Sequence, residues 1–181
     1  MVPFSLVLEK DTLLIVFALS RDFFTFFAAK INSMDSYVKP VEIRWSDLDP
    51  NFHVRHSVYY DFGAYIRMCF LTENGLPPAV LVEHNLGPIL FREECLFKRE
   101  VHFGDIITIN LALKQCTPTY SRWTFQHEII KNGDTVAAII TVDGAWLDTA
   151  KRRLTVPSEF VSPTFEQLPK AADFKWLERK A

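Results

Sequence analysis

The run Arg44-Trp45-Ser46-Asp47-Leu48-Asp49-Pro50-Asn51-Phe52-His53-Val54-Arg55-His56-Ser57-Val58-Tyr59-Tyr60 decides the reading of this chain. It is the densest polar cluster in the sequence, with Asp47, Asp49, His53 and His56 all close together. Upstream, Val38 to Trp45 alternates, with Val41, Ile43 and Trp45 on one side, and predicts a strand. Downstream, the apolar residues Val58, Phe62, Tyr65, Ile66, Cys69 and Phe70 recur at helical spacing over 57–74. Gly75 follows as a helix stop, and Pro77 and Pro78 prevent continuation. The acids and imidazoles therefore fall where a strand ends and an aromatic-rich, buried helix begins. The free N–H groups of that helix end polarise whatever is placed against them.

The cluster also invites two metal readings. Asp47, Asp49 and Asn51 alternate as in a calcium loop, but Phe52 stands where the sharp turn needs Gly and Val58 where the bidentate Glu belongs. A metal pair of His53 and His56 has no further His or Cys cluster in the sequence to complete it, so no metal is expected. The structural alternative is helix capping by an Asp or Ser in a solvated loop.

Working outward, four strands are expected after the helix. Pro88 to Phe103 places Ile89, Phe91, Cys95, Phe97, Val101 and Phe103 on one face and ends at the Gly104-Asp105 turn. Ile106 to Cys116 puts Ile107, Ile109, Leu111 and Leu113 together. Tyr120 to Lys131 leads into Asn132-Gly133, a strong hairpin signal, and Thr135 to Asp148 returns, with Lys151 to Val156 as a short addition. A long antiparallel sheet curled around the helix buries it most economically. The class is α+β. The tail after Pro157 ends in a short amphipathic piece (Phe174, Trp176, Leu177) expected to lie on the surface.

Composition excludes several functions. With 181 residues, 49 % hydrophobic and 23 % charged, the chain supports a core and is not disordered. Its net charge of −2 gives no general reason to expect nucleic acid or an anionic membrane. The glycines at 63, 75, 87, 104, 133 and 144 lie far apart, so no phosphate loop, dinucleotide fingerprint or nucleophile elbow can be built. Cys69, Cys95 and Cys116 are odd in number and widely spaced, without C-x-x-C, and read as reduced thiols packed as small hydrophobes in a cytoplasmic protein. Residues 1–33 differ in character and read as an N-terminal extension, either a genuine helix or sequence translated from a misplaced start ahead of Met34. The apolar run Leu13 to Leu19 is too short for a membrane span, and Glu9 and Asp11 precede it where a secretory signal carries positive charge. Residues 34–181 then form one domain with a short C-terminal tail.

The run from Arg44 through Tyr60, continuing to Arg67, resembles the signature of the hotdog-fold acyl-CoA thioesterases of the 4-hydroxybenzoyl-CoA thioesterase type: an aspartate-x-aspartate pair, a His-Val-Asn-Asn-like segment, then a tyrosine early in the central helix. Phe103-Gly104-Asp105 looks like the Tyr/Phe-Gly-Asp turn of that family, and the likeness spans about residues 36–158. It implies a hotdog fold and hydrolysis of an acyl-CoA thioester without metal or organic cofactor, coenzyme A being part of the substrate. It assigns Asp49 as nucleophile or general base, and the backbone N–H near His56 as the group that polarises the carbonyl. His53 supports the loop or the substrate, Asp47 orders the turn or lies against the substrate, and Tyr59 and Tyr60 line the acyl pocket or pack in the core. Arg99, Lys114, Arg122, Arg152 and Arg153 are candidates for the phosphates of coenzyme A, Arg122 foremost. A homodimer or dimer of dimers, with the site at the interface, is implied as well. Arg55-His56 replaces the usual Asn-Asn and Phe52 a frequent Gly. These departures fit an altered acyl group or a lost hydrolysis. The same fold also serves acyl-carrier-protein thioesterases, dehydratases and non-catalytic acyl-CoA binders, but the dehydratase motif is absent.

Overall fold

A computed structural model describes residues 36–178. The expectation for residues 1–33 lies outside the described residues. In chain order the elements are β1 (Tyr37–Val41), α1 (His56–Glu73), α2 (Pro78–Glu83), β2 (Leu86–Phe97), β3 (Ile107–Cys116), β4 (Arg122–Lys131), β5 (Thr135–Asp148), β6 (Arg153–Thr155), α3 (Ser162–Glu166) and β7 (Lys170–Trp176). They form a seven-stranded sheet with the central order β1-β3-β4-β5-β2. β6 pairs with the end of β5, and β7 with the end of β3.

The helix α1 is held by its buried face rather than by its ends. No side chain caps its N-terminus, where Arg55 is the cap residue. Val58, Tyr59, Phe62, Ile66 and Phe70 are all buried, each worth roughly 1.5–3 kcal/mol of apolar transfer. Opposite them, β3 turns Ile107, Ile109, Leu111 and Leu113 inward at alternate positions, as its pattern predicts. The Asn132-Gly133 signal also yields its hairpin: both residues have positive φ and join β4 to β5 at the Lys131–Thr135 pair.

Several expectations are corrected. The first strand stops at Val41 rather than Trp45, because the Asp47 carboxylate accepts a hydrogen bond from the Arg44 amide at 2.8 Å and folds Trp45–Asp47 into a 3-10 turn. Trp45 is consequently exposed, while Ile43 stays buried. The strand expected over 88–103 ends at Phe97. A bulge between Leu90 and Arg92 leaves Phe91 unpaired and reverses which side faces inward, so the six apolar residues do not share a face. Val101 is buried, whereas Phe91, Phe97 and Phe103 are more than half exposed. Pro77-Pro78 stops α1 but starts the short α2, with Pro78 as its first residue. The C-terminal piece lies at the surface but as an added strand: β7 runs parallel to β3, pairing Gln115 with Lys175 and Cys116 with Trp176. Among the described residues no helix is long and apolar enough to cross a membrane.

Candidate active site

The loop between β1 and α1 is closed by its own side chains and amides. Leu48 bridges Val54, and the Asp49 amide donates to the His53 carbonyl at 2.8 Å. Within this loop the Asp49 Oδ1 accepts from the amides of Asn51 at 2.8 Å and His53 at 3.1 Å. Pro50 occupies the first corner of a turn closed by the Phe52 amide on the Asp49 carbonyl at 2.9 Å. Phe52 takes the left-handed conformation, φ 63°, where glycine is usual. One carboxylate oxygen of Asp49 thus holds the loop, and Oδ2 has no hydrogen-bond partner among the described residues.

The loop delivers Asp49 to the start of α1. The first amides of a helix have no acceptor within it, and here no capping side chain takes their place. Asp49, His53, His56 and Tyr59 line one side of a cleft of about 580 Å³, and Phe97 to Val101 line the other. Tyr59 is buried edge-on against Phe97, ring centroids 5.0 Å apart, and burial pushes its hydroxyl pKa up to about 12, so it stays protonated. A carboxylate, a polarising helix end and an apolar ring thus share one cavity. That set suits addition of an oxygen nucleophile to a carbonyl.

Of the residues singled out in the sequence, Asp49, His53, His56 and Tyr59 meet in this cleft. Asp47 does not enter it. It lines a neighbouring hollow of about 790 Å³ together with Asp61 and Asp105, a larger cavity without Asp49 or the first residue of α1. Tyr60 is half-buried against the core. Arg122 opens β4 and stacks its guanidinium over Phe91 at 5.4 Å, away from the cleft. Of the cations considered for phosphate, Arg99 lines the cleft, and Lys98 beside it does so too. Lys114 is paired with Asp173 at 3.2 Å, and Arg152 and Arg153 lie at the turn into β6.

Two neighbours of the cleft carry no local signal in the 44–60 run. Glu100 lines the cleft, and His102 stands beside it, its ring 4.7 Å from that of His53. The acid-x-histidine spacing of 100 and 102 was the available clue, since alternate residues of an extended segment share a side. Asp105, from the Phe-Gly-Asp turn, is held below the usual carboxylate range. Partial burial opposes its ionisation, but hydrogen bonds from Lys131, the His102 amide and Asn132 outweigh that.

No curated protein matches the chain significantly. Among solved structures, the Staphylococcus aureus protein SAV2348 in complex with CoA is 17 % identical, with a TM-score of 0.69 over 79 % of this chain and 90 % of that one. A 1,4-dihydroxy-2-naphthoyl-CoA thioesterase from Synechocystis is 14 % identical, with a TM-score of 0.64 over 72 % of this chain and 96 % of that one. A gentisyl-coenzyme A thioesterase is 24 % identical, with a TM-score of 0.60 over 70 % and 98 %. At such identities these likenesses establish the hotdog fold. The family model of the Thioesterase-like superfamily matches residues 43–165, more than half of the chain, from the loop of Asp49 into α3. The sheet around α1, the aspartate loop at its uncapped end and this match agree, and the chain belongs to the thioesterase-like superfamily.

Proposed function

We propose that this protein hydrolyses an acyl-CoA thioester to the free acid and coenzyme A. The observation that carries the reading is that Asp49 and the first turn of α1 line the same cleft. The substrate carbonyl oxygen lies at the amides beginning with His56, and the free Oδ2 of Asp49 faces the carbonyl carbon. As general base, Asp49 takes a proton from water while the oxygen adds to that carbon. Negative charge moves onto the carbonyl oxygen at the helix end, and collapse expels the CoA thiolate, which picks up the proton. As nucleophile, Asp49 forms a mixed anhydride that water then opens. Isotope tracing identifies the anhydride route: in one turnover, label from water enters the Asp49 carboxylate only when an anhydride is opened at the aspartyl carbon, whereas attack at the acyl carbon labels the released acid on either route. Lys98 and Arg99 at the cleft supply charge for the phosphates of coenzyme A. The acyl-carrier-protein thioesterase reading shares this chemistry and differs only in the carrier.

The functional unit we propose is a homodimer joined along β2, a twelve-residue strand at one margin of the sheet with Leu90, Phe91, Leu96 and Phe97 exposed. Phe97 belongs both to this strand and to the cleft wall, so a second copy would cover the open side of the cavity.

The double hydrogen bond to Asp49 Oδ1 favours a second reading, in which Asp49 only holds the loop and the protein binds acyl-CoA without turnover. Asp49→Asn keeps an oxygen for those amides and removes the charge, so it separates the two. A panel of acyl-CoAs with a thiol-trapping dye is expected to show kcat falling by about 10²–10⁴-fold in the variant, with the melting temperature little changed. Equal rates in both proteins would remove Asp49 as catalyst. Stabilisation by acyl-CoA with no thiol release from wild type would establish the binder.

A further inference from the structure

We propose that His53, Glu100 and His102 form a site for one divalent transition-metal ion, Zn²⁺ by chemistry, at the rim of the cleft. The backbone sets the pair of imidazoles. His53 and His102 are directly opposed in an antiparallel bridge, fixed by the Val54 amide on the Val101 carbonyl at 2.8 Å. Facing residues in such a bridge project to the same side. Glu100, two residues before His102, projects to that side as well, and one ligand atom from each of the three falls within 4.8 Å of the others.

The distances argue for an ion rather than for mutual hydrogen bonds. His53 Nε2 lies 3.5 Å and His102 Nε2 4.0 Å from Glu100 Oε2. Hydrogen bonds of this kind close to about 2.7–3.2 Å, so each separation is too long. Ligands held about 2.0–2.2 Å from a tetrahedral zinc stand roughly 3.3–3.6 Å from one another. Small rotations of the exposed Glu100 and His102 side chains about the half-buried His53 bring the three atoms to that spacing.

The outer partner points the same way. While His102 Nε2 faces the cluster, its Nδ1 faces Asp105 Oδ2 at 3.8 Å. Asp105 is itself fixed by Lys131 at 2.8 Å and by the His102 amide at 2.8 Å. At 3.8 Å this carboxylate lies beyond hydrogen-bond reach, and it would orient the metal-binding imidazole only after the small side-chain rotation that closes the cluster. Two imidazoles and one carboxylate select a borderline ion over Mg²⁺ or Ca²⁺, which take all-oxygen sets. Three protein ligands leave a coordination position for water. The ion would tie the Asp49 loop, through His53, to the segment after β2. His56, though close in sequence, is not in the cluster.

The test uses the untagged full chain, stripped with a chelator and dialysed against Zn²⁺. One ion per protomer is expected, unaffected by excess Mg²⁺ or Ca²⁺, with Co²⁺ giving visible d–d absorption at the same site. His102→Ala and, independently, Glu100→Gln are each expected to weaken Zn²⁺ binding by at least about tenfold. His84→Ala, on the C-terminal cap of α2, leaves it unchanged. Melting curves in chelator verify that each variant is folded, and the Glu100 variant carries the test if the His102 variant is not. Absence of saturable Zn²⁺ binding, or binding indifferent to both substitutions, would overturn the site. Metal content reads this directly, whatever becomes of thioester hydrolysis.

Discussion

His127 is fully buried on β4, with Nδ1 3.0 Å from the Asn110 carbonyl and Nε2 3.1 Å from Arg67 Nη1. Arg67 can only donate, so Nε2 accepts and the proton sits on Nδ1. Burial, and secondarily the Arg67 charge, lower the pKa of this imidazole from 6.5 to about 3. The folded state therefore refuses a proton that the unfolded chain takes up as pH drops below 6.5. Stability from this residue is complete above that value and declines as pH falls towards 3, by up to about 1.4 kcal/mol per pH unit. Denaturant titrations at pH 7 and pH 5 are expected to show this slope in wild type and to lose it in His127→Gln. An identical slope in the variant would assign the decline to carboxylates such as Asp105. His127 does not stand out in the sequence, and Arg67 enters it only as the far end of the signature run; their meeting across the core is what isolates them from water. Asp49, His53, His56 and Tyr59, by contrast, are legible because one loop and one helical turn bring them together with no help from the rest of the fold.

At the scale of elements, α1, β3, β5 and the β4–β5 hairpin were readable because their signals are local: a period, an alternation, an Asn-Gly pair. The bulge in β2 and the strand β7 were not. A bulge has no local code in Leu90-Phe91-Arg92, and β7, Lys-Ala-Ala-Asp-Phe-Lys-Trp, lacks alternation and exists because the end of β3 offers it a ladder. Glu100 and His102 escaped for the same reason, reaching the cleft by a pairing distant in sequence. Gly144 shows how such pairing constrains an element. It lies opposite Trp123 in the β4–β5 ladder, and a methyl group there would overlap the Trp123 ring. Trp123 is itself buried and stacked on Phe125 at 4.5 Å, so it has no room to retreat. Gly144→Ala is expected to destabilise by about 1–3 kcal/mol through overpacking. The check is the denaturation midpoint, and a variant as stable as wild type would mean that the indole has another seat.

For the whole molecule, the sheet margins differ. β2 presents a long margin with Leu90, Phe91, Leu96 and Phe97 exposed among Arg92, Glu93 and Glu94. Replacing both Phe91 and Leu96 by Lys is expected to convert the proposed dimer to monomer in analytical ultracentrifugation and to reduce thioester hydrolysis with it. A wild type that sediments as a monomer at micromolar concentration would discard that assembly. The opposite margin is finished differently. There β3 shares its outer side between two short strands, β1 against Ile107 to Leu111 and β7 against Leu113 to Cys116. β1 carries Pro40 and β7 carries Lys170 and Lys175, residues that discourage further strand addition. With one flank sociable and the other blunted among the described residues, copies meeting flank to flank about a twofold axis, as in the proposed dimer, would cover the adhesive border of this sheet. Growth then terminates at a pair instead of running on into a fibre.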